Sequence, residues 1–397
     1  MRERRPKTAK DSGQVSPLFD PRVRGVAIQV AVIAAIVVLG YEIASNVVTN
    51  LKKQNIASGF SFLDRTAGFD ISQSLIEYSN TMTYGRAFLV GLTNTLLVAG
   101  IGIVLATVIG FIVGIARLSG NWIIAALAAV YVEVIRNIPP LLMLFAIYFA
   151  VLKGLPQPRD SIELPFSSYL NVRGLTIPQP FAESGFAAFV WVLLGAVVAV
   201  AMLARWAGAR RIATGKPFPT LLASLAILLA APVVAYLIAG PPLRFEMPTP
   251  GRFNISGGLT LLPEFVALVT GLTLYTASFI AEIVRSGIEG VPKGQTEAAA
   301  ALGLSRGQAM RLVIVPQALR IIVPPLTNQY LNLTKNSSLA VAIGYPDLVS
   351  VFSGTVLNQT NQAIEVIVIT MAVYLVLSLA TSFAMNLFNA RMALVER

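Results

Sequence analysis

The chain has 397 residues, of which 55% are hydrophobic and only 12% are charged, and it carries a formal net charge of +11. Soluble globular proteins carry roughly 25% charged residues, so this composition excludes an ordinary water-soluble enzyme and indicates an integral membrane protein. Cysteine and histidine are both absent. Their absence excludes disulfides, thiolate or imidazole metal sites, and catalysis by cysteine or histidine.

Long apolar runs recur along the chain, and about 20 residues are needed to cross the hydrocarbon core of a bilayer. Two of these runs are interrupted by proline pairs, Pro139-Pro140 and Pro324-Pro325. We therefore predict an all-α polytopic membrane protein with about eight transmembrane helices. The predicted spans are residues 25–43, 88–116, 138–152, 185–204, 220–239, 259–283, 321–343 and 364–388.

Basic residues are distributed unevenly between the two sides that eight spans define. If the N-terminus is cytoplasmic, about twenty Lys and Arg side chains lie inside and about nine outside, as the positive-inside rule requires. The sequence therefore predicts that both termini are cytoplasmic. The first run follows a basic segment, as in a signal peptide, but it is long and no small-residue cleavage pattern follows it. We favour an uncleaved first span.

The composition changes between residues 153 and 258, where polar, proline-bearing segments flank two plain apolar spans. A pair of spans that leaves and returns can be inserted without reversing the orientation of the chain that follows. Removing this pair and the first span leaves five spans as a core. The predicted organisation is a basic N-terminus (1–24), an extra span (25–43), a first core part (88–152), an insertion (153–258) and a second core part (259–390).

The polar segment after the sixth span, residues 285–320, has a local structure that the sequence predicts directly. Thr296 is placed to cap a helix, and Gly303 is placed to end that helix in the left-handed conformation. Ser305 and Gln308 have capping-box spacing for a second helix. We expect two short helices joined at a tight bend, with a face of small alanines that fits a groove of another protein.

This segment contains Glu297-Ala298-Ala299, then Gly303, then Pro316, and it resembles the E-A-A loop of bacterial ABC importer permeases. Val313 and Val315 replace the usual Ile and Leu of that loop. Surrounding motifs resemble the polar amino-acid uptake permeases: Ala281-Glu282-Ile283-x-Arg285, Val291-Pro292-x-Gly294-Gln295, Pro316-Gln317-Ala318, Lys335-Asn336-Ser337-Ser338-Leu339, Thr93-Asn94-Thr95-Leu96 and Tyr131-Val132-Glu133. The extra first span and the inserted pair are similar to the longer general L-amino-acid permease subunits.

The resemblance implies a type I ABC importer permease core of five helices, in a bacterial inner membrane. It implies import of L-amino acids by alternating access, driven by two ATP-binding subunits that hold ATP and Mg²⁺. A second permease subunit, a periplasmic amino-acid-binding protein and membrane lipid are the other implied partners. The chain itself is expected to bind no cofactor, metal or nucleic acid and to catalyse no reaction. It has no phosphate-binding loop; Gly215-Lys216-Pro217 is the nearest approach.

Two sets of site residues follow from the matched motifs. The resemblance places the ATPase-coupling loop at Gly294, Glu297, Ala298, Ala299, Gly303 and Pro316. A charge within a span is costly and usually functional, which makes Lys335 the main candidate for a substrate path. The full set proposed for that path is Asn94, Thr95, Glu282, Lys335, Asn336, Ser337 and Ser338.

Plainer interpretations stay open for several of these residues. Lys335 is equally suited to positioning the turn at residues 336–338. Glu282 with Arg285, and Glu133 with Arg136, have the spacing of ordinary salt bridges along a helix. Gly110 and Gly114 permit close helix packing, for which we favour contacts within one subunit.

Three other functions are weighed against the importer. An ion-coupled secondary transporter needs carboxylates in mid-span, whereas those of the predicted spans lie at the ends, apart from Glu42 and Glu365 near the outer boundary. A membrane enzyme or scaffold is the second; a serine–lysine catalyst would depend on Ser337 or Ser338 beside Lys335. A DNA-binding helix-turn-helix unit needs a third helix and a core of its own. The importer remains the leading hypothesis.

Overall fold

The computed structural model describes residues 21–53, 58–216, 218–251 and 254–392. Seven helices in these ranges are long and apolar enough to cross a membrane, and a bent helix pair makes an eighth candidate. This confirms the predicted all-α polytopic fold. The helices are α1 (Pro21–Lys53), α2 (Tyr84–Arg117), α3 (Trp122–Asn137), α4 (Pro140–Gly154), α5 (Phe186–Thr214), α6 (Thr220–Ala239), α7 (Pro263–Glu289), α8 (Lys293–Ala301), α9 (Arg306–Ala309), α10 (Val315–Asn336), α11 (Leu357–Thr360) and α12 (Ala363–Met392).

The centre of the molecule is a pair of helices, α2 and α7, that lie side by side and run in the same direction. A Cβ on Gly110 would lie 2.6 Å from the Ile280 Cβ, and one on Gly114 would lie 2.7 Å from the Val284 Cβ. Residue numbers therefore increase in the same direction along both helices, which makes α2 and α7 parallel. Small residues allow this close approach, so the expectation that these glycines pack helices within one subunit is confirmed.

The third predicted span, residues 138–152, has to be corrected. The predicted spans 88–116 and 138–152 place residues 122–137 between two membrane segments, but these residues form helix α3, which meets α4 at a bend of 108°. Proline lacks an N–H and disfavours helical geometry in the residue before it, so the helix breaks at Pro139. Glu133 and Arg136 made this segment look too polar to be part of a span. In the structure their salt-bridge partners lie on other helices, which the sequence does not indicate.

The bent pair also returns the chain to the other end of the core. Helix α4 runs against α7, since the Leu144 side chain lies at Gly271 and the Tyr148 hydroxyl donates a hydrogen bond to Glu264 Oε1 at 3.1 Å. Helices α5 and α6 are antiparallel, with Gly185 against Ala239, and together bring the chain back to the end from which it left. Because α2 and α7 are parallel, α3 and α4 must carry the chain back from the end of α2 to the start of α7.

Short antiparallel strands, which the sequence analysis did not predict, form in the segments around α5 and α6. One sheet has the order β1 (Ile162–Leu164), β2 (Ser168–Asn171), β3 (Gly174–Ile177) and β8 (Leu259–Leu261). Two strand pairs complete the set: β4 (Gln179–Ala182) with β5 (Leu243–Glu246), and β6 (Thr249–Pro250) with β7 (Ile255–Ser256). Strand β8 leads directly into α7, so the inserted segment is attached to the core through this sheet.

The remaining elements close the core at the end where α2 begins. A 3-10 helix, Ser337–Ile343, continues α10, and a π-helix, Val349–Val356, precedes α11. Phe62, Tyr84 and Phe352 form a buried aromatic cluster there. Helix α1 has no buried side chain in its membrane-length window, as expected for an added span. Most of the predicted basic N-terminus, residues 1–24, lies outside the described residues.

Candidate functional site

Helix α8 ends at Gly303, which has a φ of +73°. The N–H of Leu304 donates to the carbonyl of Ala299 at 3.1 Å, and the N–H of Gly303 donates to the carbonyl of Ala300 at 2.9 Å. These two bonds form a Schellman motif, which requires a left-handed residue at this position. The predicted termination by Gly303 is therefore confirmed, and it directs the chain sharply from α8 into α9.

The second helix begins at a complete capping box. The Ser305 hydroxyl accepts from the Gln308 N–H, and the Gln308 side chain accepts from the Ser305 N–H, as predicted. The predicted cap of the first helix is wrong. Helix α8 begins at Lys293 after Pro292, without a side-chain cap, and Thr296 lies inside it. The extended backbone of Pro292 starts the helix four residues earlier than the hydroxyl of Thr296 indicated.

The side chains of α8 divide into a buried and an exposed set. Ala299 is 2% exposed and faces the bundle, whereas Gly294, Glu297 and Ala298 are exposed. Leu302, at the bend, is 81% exposed. The outward face of α8 is therefore small and alanine-rich, with a large apolar side chain beside it at the bend.

The exposed loop is held to the bundle through α10. A short π-helix, Met310–Ile314, joins α9 to α10. Pro316 lies in the first turn of α10. The Gln317 amide donates to the Gln295 side chain at 3.1 Å, which links α10 to α8. A Cβ on Gly287 would lie 2.3 Å from Ile322 Cγ1, so α7 and α10 are in close contact beside the loop. Helix α8 is thereby linked to α10 directly and to α7 through α10.

Glu282 lies at the same end of the bundle, within a cluster of charges. Its carboxylate accepts hydrogen bonds from Arg117 and Arg285, the latter through Nη2 at 2.6 Å. Glu133 and Arg136 do not pair along α3 as predicted; among the described residues, Glu133 lies 3.9 Å from Arg117 and Arg136 lies 3.9 Å from Glu282. Because the pairs cross between helices, they join α2, α3 and α7.

Asn94 and Thr95 are buried completely, with no exposed surface. The Asn94 amide donates to the carbonyls of Gln73 and Pro346, both at 2.8 Å, and the Thr95 hydroxyl accepts from the N–H of Leu348 at 3.0 Å. In this conformation the two side chains hold a backbone turn. Their direct contact with substrate stays a prediction, and the structure gives them a positioning role.

Lys335 lies near mid-depth in the bundle. It occupies the last turn of α10, and its neighbour Leu333 contacts α2 at Gly102, near the middle of that helix. Lys335 and Ser338 border an open cavity of about 660 Å³. Ser337 is buried and donates to the Thr334 carbonyl at 2.7 Å, while Asn336 lies at the end of the helix.

The other wall of this cavity comes from α12, whose residues the sequence analysis missed. Thr370, Tyr374 and Ser378 line it. They recur at intervals of four, which places them on one face of a helix. A polar stripe in an otherwise apolar span was the signal available in the sequence.

The predicted substrate-path residues therefore do not form a single site in this conformation. Lys335 and Ser338 share the cavity, and Asn94 and Thr95 lie behind the turn at residues 345–348. Glu282 is separated from Lys335 by the stretch of α2 between Gly102 and Arg117, about 22 Å of helix. The carboxylate lies at the end of the bundle that carries α8 rather than beside the cavity.

A helical bundle with an exposed two-helix loop at one end and an open cavity half-way along it is the architecture of a membrane transport subunit. Residues 214–394 match the family described as binding-protein-dependent transport system inner membrane component. The chain belongs to the amino-acid ABC transporter permeases. Its membership supports the importer hypothesis over an ion-coupled secondary transporter.

The family assignment also rests on two relatives that align with almost the whole chain. The chain is 56% identical over 382 residues to the general L-amino acid transport system permease protein AapQ of Rhizobium johnstonii, covering 96% of this chain and 95% of that protein. It is 50% identical over 379 residues to the putative amino-acid ABC transporter permease protein YhdX of Escherichia coli, covering 95% and 96%. A solved structure, described as a crystal structure of an amino acid ABC transporter with histidines, aligns with a TM-score of 0.46 and 22% identity over 78% of this chain and 95% of that one.

Proposed function

We propose that this permease moves L-amino acids into the cytoplasm as part of an ATP-driven importer, and that α8 and its bend receive the force that drives the movement. The observation that carries the proposal is the exposed surface around Leu302, held to α7 and α10 by close contacts. The two relatives are described as amino-acid permeases, which supports the substrate class.

The proposed assembly contains two ATP-binding subunits, a second permease of the same or a homologous sequence, and a periplasmic amino-acid-binding protein. ATP and Mg²⁺ are held by the ATP-binding subunits. In the bacterial inner membrane, the end that carries α8 faces the cytoplasm, and both termini lie on that side. The excess of basic residues predicted there supports this orientation.

In this proposal, closure of the ATP-binding subunits displaces α8. The Gln295–Gln317 bond and the contact of Gly287 with Ile322 transmit that displacement to α7 and α10. Because protein interiors are close-packed, the helices move as rigid units rather than deforming. The far end of α10 carries Lys335, so the cavity beside it changes its access as α10 moves.

The cavity beside Lys335 is the proposed substrate path. An ammonium group attracts the α-carboxylate that every amino acid carries, and this attraction is strong where water is scarce. The hydroxyls of Ser338, Thr370 and Tyr374 provide further hydrogen-bonding groups. Apolar neighbours such as Val341 and Met371 tolerate different side chains, so the arrangement suits a broad range of amino acids.

The coupling role is tested with a pair of glycine substitutions in the purified importer. A Cβ on Gly303 or on Gly307 meets no atom within 4 Å, but only Gly303 has a positive φ. Gly303→Val strains the bend because β-branched residues disfavour this region, whereas Gly307→Ala is compatible with helix α9. We expect Gly303→Val to reduce co-purification of the ATP-binding subunits and ATP-dependent uptake, while Gly307→Ala retains both. Full assembly and uptake in Gly303→Val would refute the coupling role.

A further inference from the structure

The inserted helices α5 and α6 differ in length, and the excess lies at one end. Helix α5 has 29 residues and α6 has 20, corresponding to about 43 Å and about 30 Å. At one end the two helices are level, since Gly185 contacts Ala239. At the other end α5 continues beyond α6 by about 13 Å.

An aromatic pair marks the level at which α6 begins. The rings of Trp206 and Phe218 are 5.3 Å apart and meet edge to face. From the start of α5 to Trp206 the helix spans about 31 Å, close to the hydrocarbon thickness of about 30 Å. Tryptophan is enriched at the boundary between hydrocarbon and headgroups. The overhang of α5 therefore begins where the headgroup layer begins.

Four basic residues surround this overhang, and all four are exposed: Arg205, Arg210, Arg211 and Lys216. The guanidinium of Arg210 lies over the ring of Trp206 at 5.3 Å and over that of Phe218 at 5.9 Å. Stacking on two rings holds this cation at the level of the aromatic pair. Along the helix, Arg205, Arg210 and Arg211 thus lie within about 8 Å of the membrane boundary, which is about one Debye length.

The hairpin supplies no negative charge to balance these cations. Residues 184–245 contain no aspartate or glutamate. The flanking carboxylates, Glu183 and Glu246, lie beside β4 and β5 at the opposite end of the hairpin, about 30 Å away along α6. The counter-charge must come from outside the hairpin, and phospholipid headgroups are the anions present at this depth.

We propose that Arg205, Arg210, Arg211 and Lys216 form a binding site for the phosphate groups of anionic phospholipids, which anchors the α5–α6 hairpin at the membrane surface. Arginine is suited to this role because its planar fork binds phosphate through two hydrogen bonds. The site is independent of which amino acids the permease carries. It assigns a function to the inserted pair, which the core fold does not require.

The experiment uses the full chain purified in detergent and exchanged into mixed micelles of phosphatidylglycerol and phosphatidylethanolamine in equal amounts. Native mass spectrometry gives the ratio of the two lipids that remain bound. The wild-type protein is expected to retain phosphatidylglycerol preferentially. The Arg210→Gln/Arg211→Gln variant is expected to lose this preference by about tenfold, since each basic residue near a membrane surface contributes substantially to binding of anionic lipid.

The matched control removes two exposed cations from the opposite end of the insertion, with Arg173→Gln/Arg244→Gln. This control should keep the wild-type preference, and higher salt should weaken the preference of the wild type. If the double variant does not fold, Lys216→Gln is used instead, because Lys216 belongs to the same site but lies in the loop after α5. This variant should reduce the preference for phosphatidylglycerol. An unchanged lipid ratio in folded Arg210→Gln/Arg211→Gln would overturn the proposal. The same double variant is also purified as the importer complex, and loss of the ATP-binding subunits there, with bound lipid unchanged, would overturn the proposal in favour of a protein partner.

Discussion

The hydroxyl of Thr95 accepts a hydrogen bond from the backbone N–H of Leu348 at 3.0 Å, although the two residues lie 253 positions apart in the chain. The bond joins the first half of α2 to the turn that follows the 3-10 helix after α10. Both residues are fully buried. The turn that leads from the cavity towards α12 is thus fixed by a helix of the other half of the core.

Replacing Thr95 with valine should destabilise the protein by about 1–3 kcal/mol, because the buried N–H of Leu348 then lacks an acceptor. The change keeps the shape of the side chain, so packing contributes little. Thr93→Val is the control, since within the described part of the chain the Thr93 hydroxyl donates to carbonyls of its own helix. Thermal unfolding in detergent measures the difference. Equal unfolding temperatures for the two variants would contradict the importance of the Thr95 bond.

Gly91 allows α2 to approach the same turn, and its substitution tests that contact separately. A Cβ at Gly91 would lie 2.9 Å from the Cα of Leu348, whereas a Cβ at Gly100 meets nothing within 4 Å. Gly91→Ala should therefore cost about 1–3 kcal/mol through overpacking. Gly100→Ala should be neutral or stabilising by up to about 1 kcal/mol, because alanine favours a helix. Thermal unfolding of both variants checks the pair, and a stable Gly91→Ala protein would show that the turn can move aside.

Glu282 is the shared acceptor of the charge cluster, so its removal should be more harmful than removal of an outer member. Glu282→Gln leaves Arg117 and Arg285 without their common carboxylate, and we expect a loss of about 2 kcal/mol. Glu289→Gln removes an exposed partner of Arg285 alone and should cost less than about 1 kcal/mol. Thermal unfolding at low salt compares the two. Similar losses would mean that the cluster contributes as separate surface pairs.

Lys335 is predicted to act on the carboxylate of the substrate. Lys335→Gln should reduce uptake of every amino acid tested by at least about tenfold, without changing the unfolding temperature or the binding of ATP-binding subunits. Lys335→Arg keeps the charge and should restore part of the uptake. Uptake assays in proteoliposomes decide the matter. Undiminished uptake in Lys335→Gln would assign the lysine to positioning the turn at residues 336–338.

Local chemistry was sufficient to predict some parts of this structure and insufficient for others. The bend at Gly303 and the capping box of Ser305 depend on neighbouring residues, so the sequence indicated both correctly. The roles of Asn94 and Thr95 depend on a turn some 250 residues away, which no local pattern shows. Helix α3 was missed for a similar reason, because Glu133 and Arg136 find their partners on α2 and α7.

Sequence patterns therefore predict features that depend on neighbouring residues and miss features that depend on residues far apart in the chain. Hydrophobic length predicts that a segment crosses the membrane, and capping residues predict where short helices end. Neither states which helices lie beside one another. The polar stripe of Thr370, Tyr374 and Ser378 became recognisable as a cavity wall only when α12 was placed beside Lys335. The strands of the insertion are short and pair across the spans they enclose, so they left no clear alternating pattern.

The insertion is joined to the core by contacts on both sides of the α5–α6 loop, so the subunit does not depend on an unbroken backbone there. The loop between α5 and α6 is a short surface connection, and the segments on either side of it meet again through β3 with β8, β4 with β5, and α2 with α7. A break in the backbone between Gly215 and Thr220 therefore leaves two fragments that still share a sheet, a strand pair and a helix interface. The permease is built so that two separately synthesised polypeptides, divided at this loop, contain the contacts needed to assemble into one subunit.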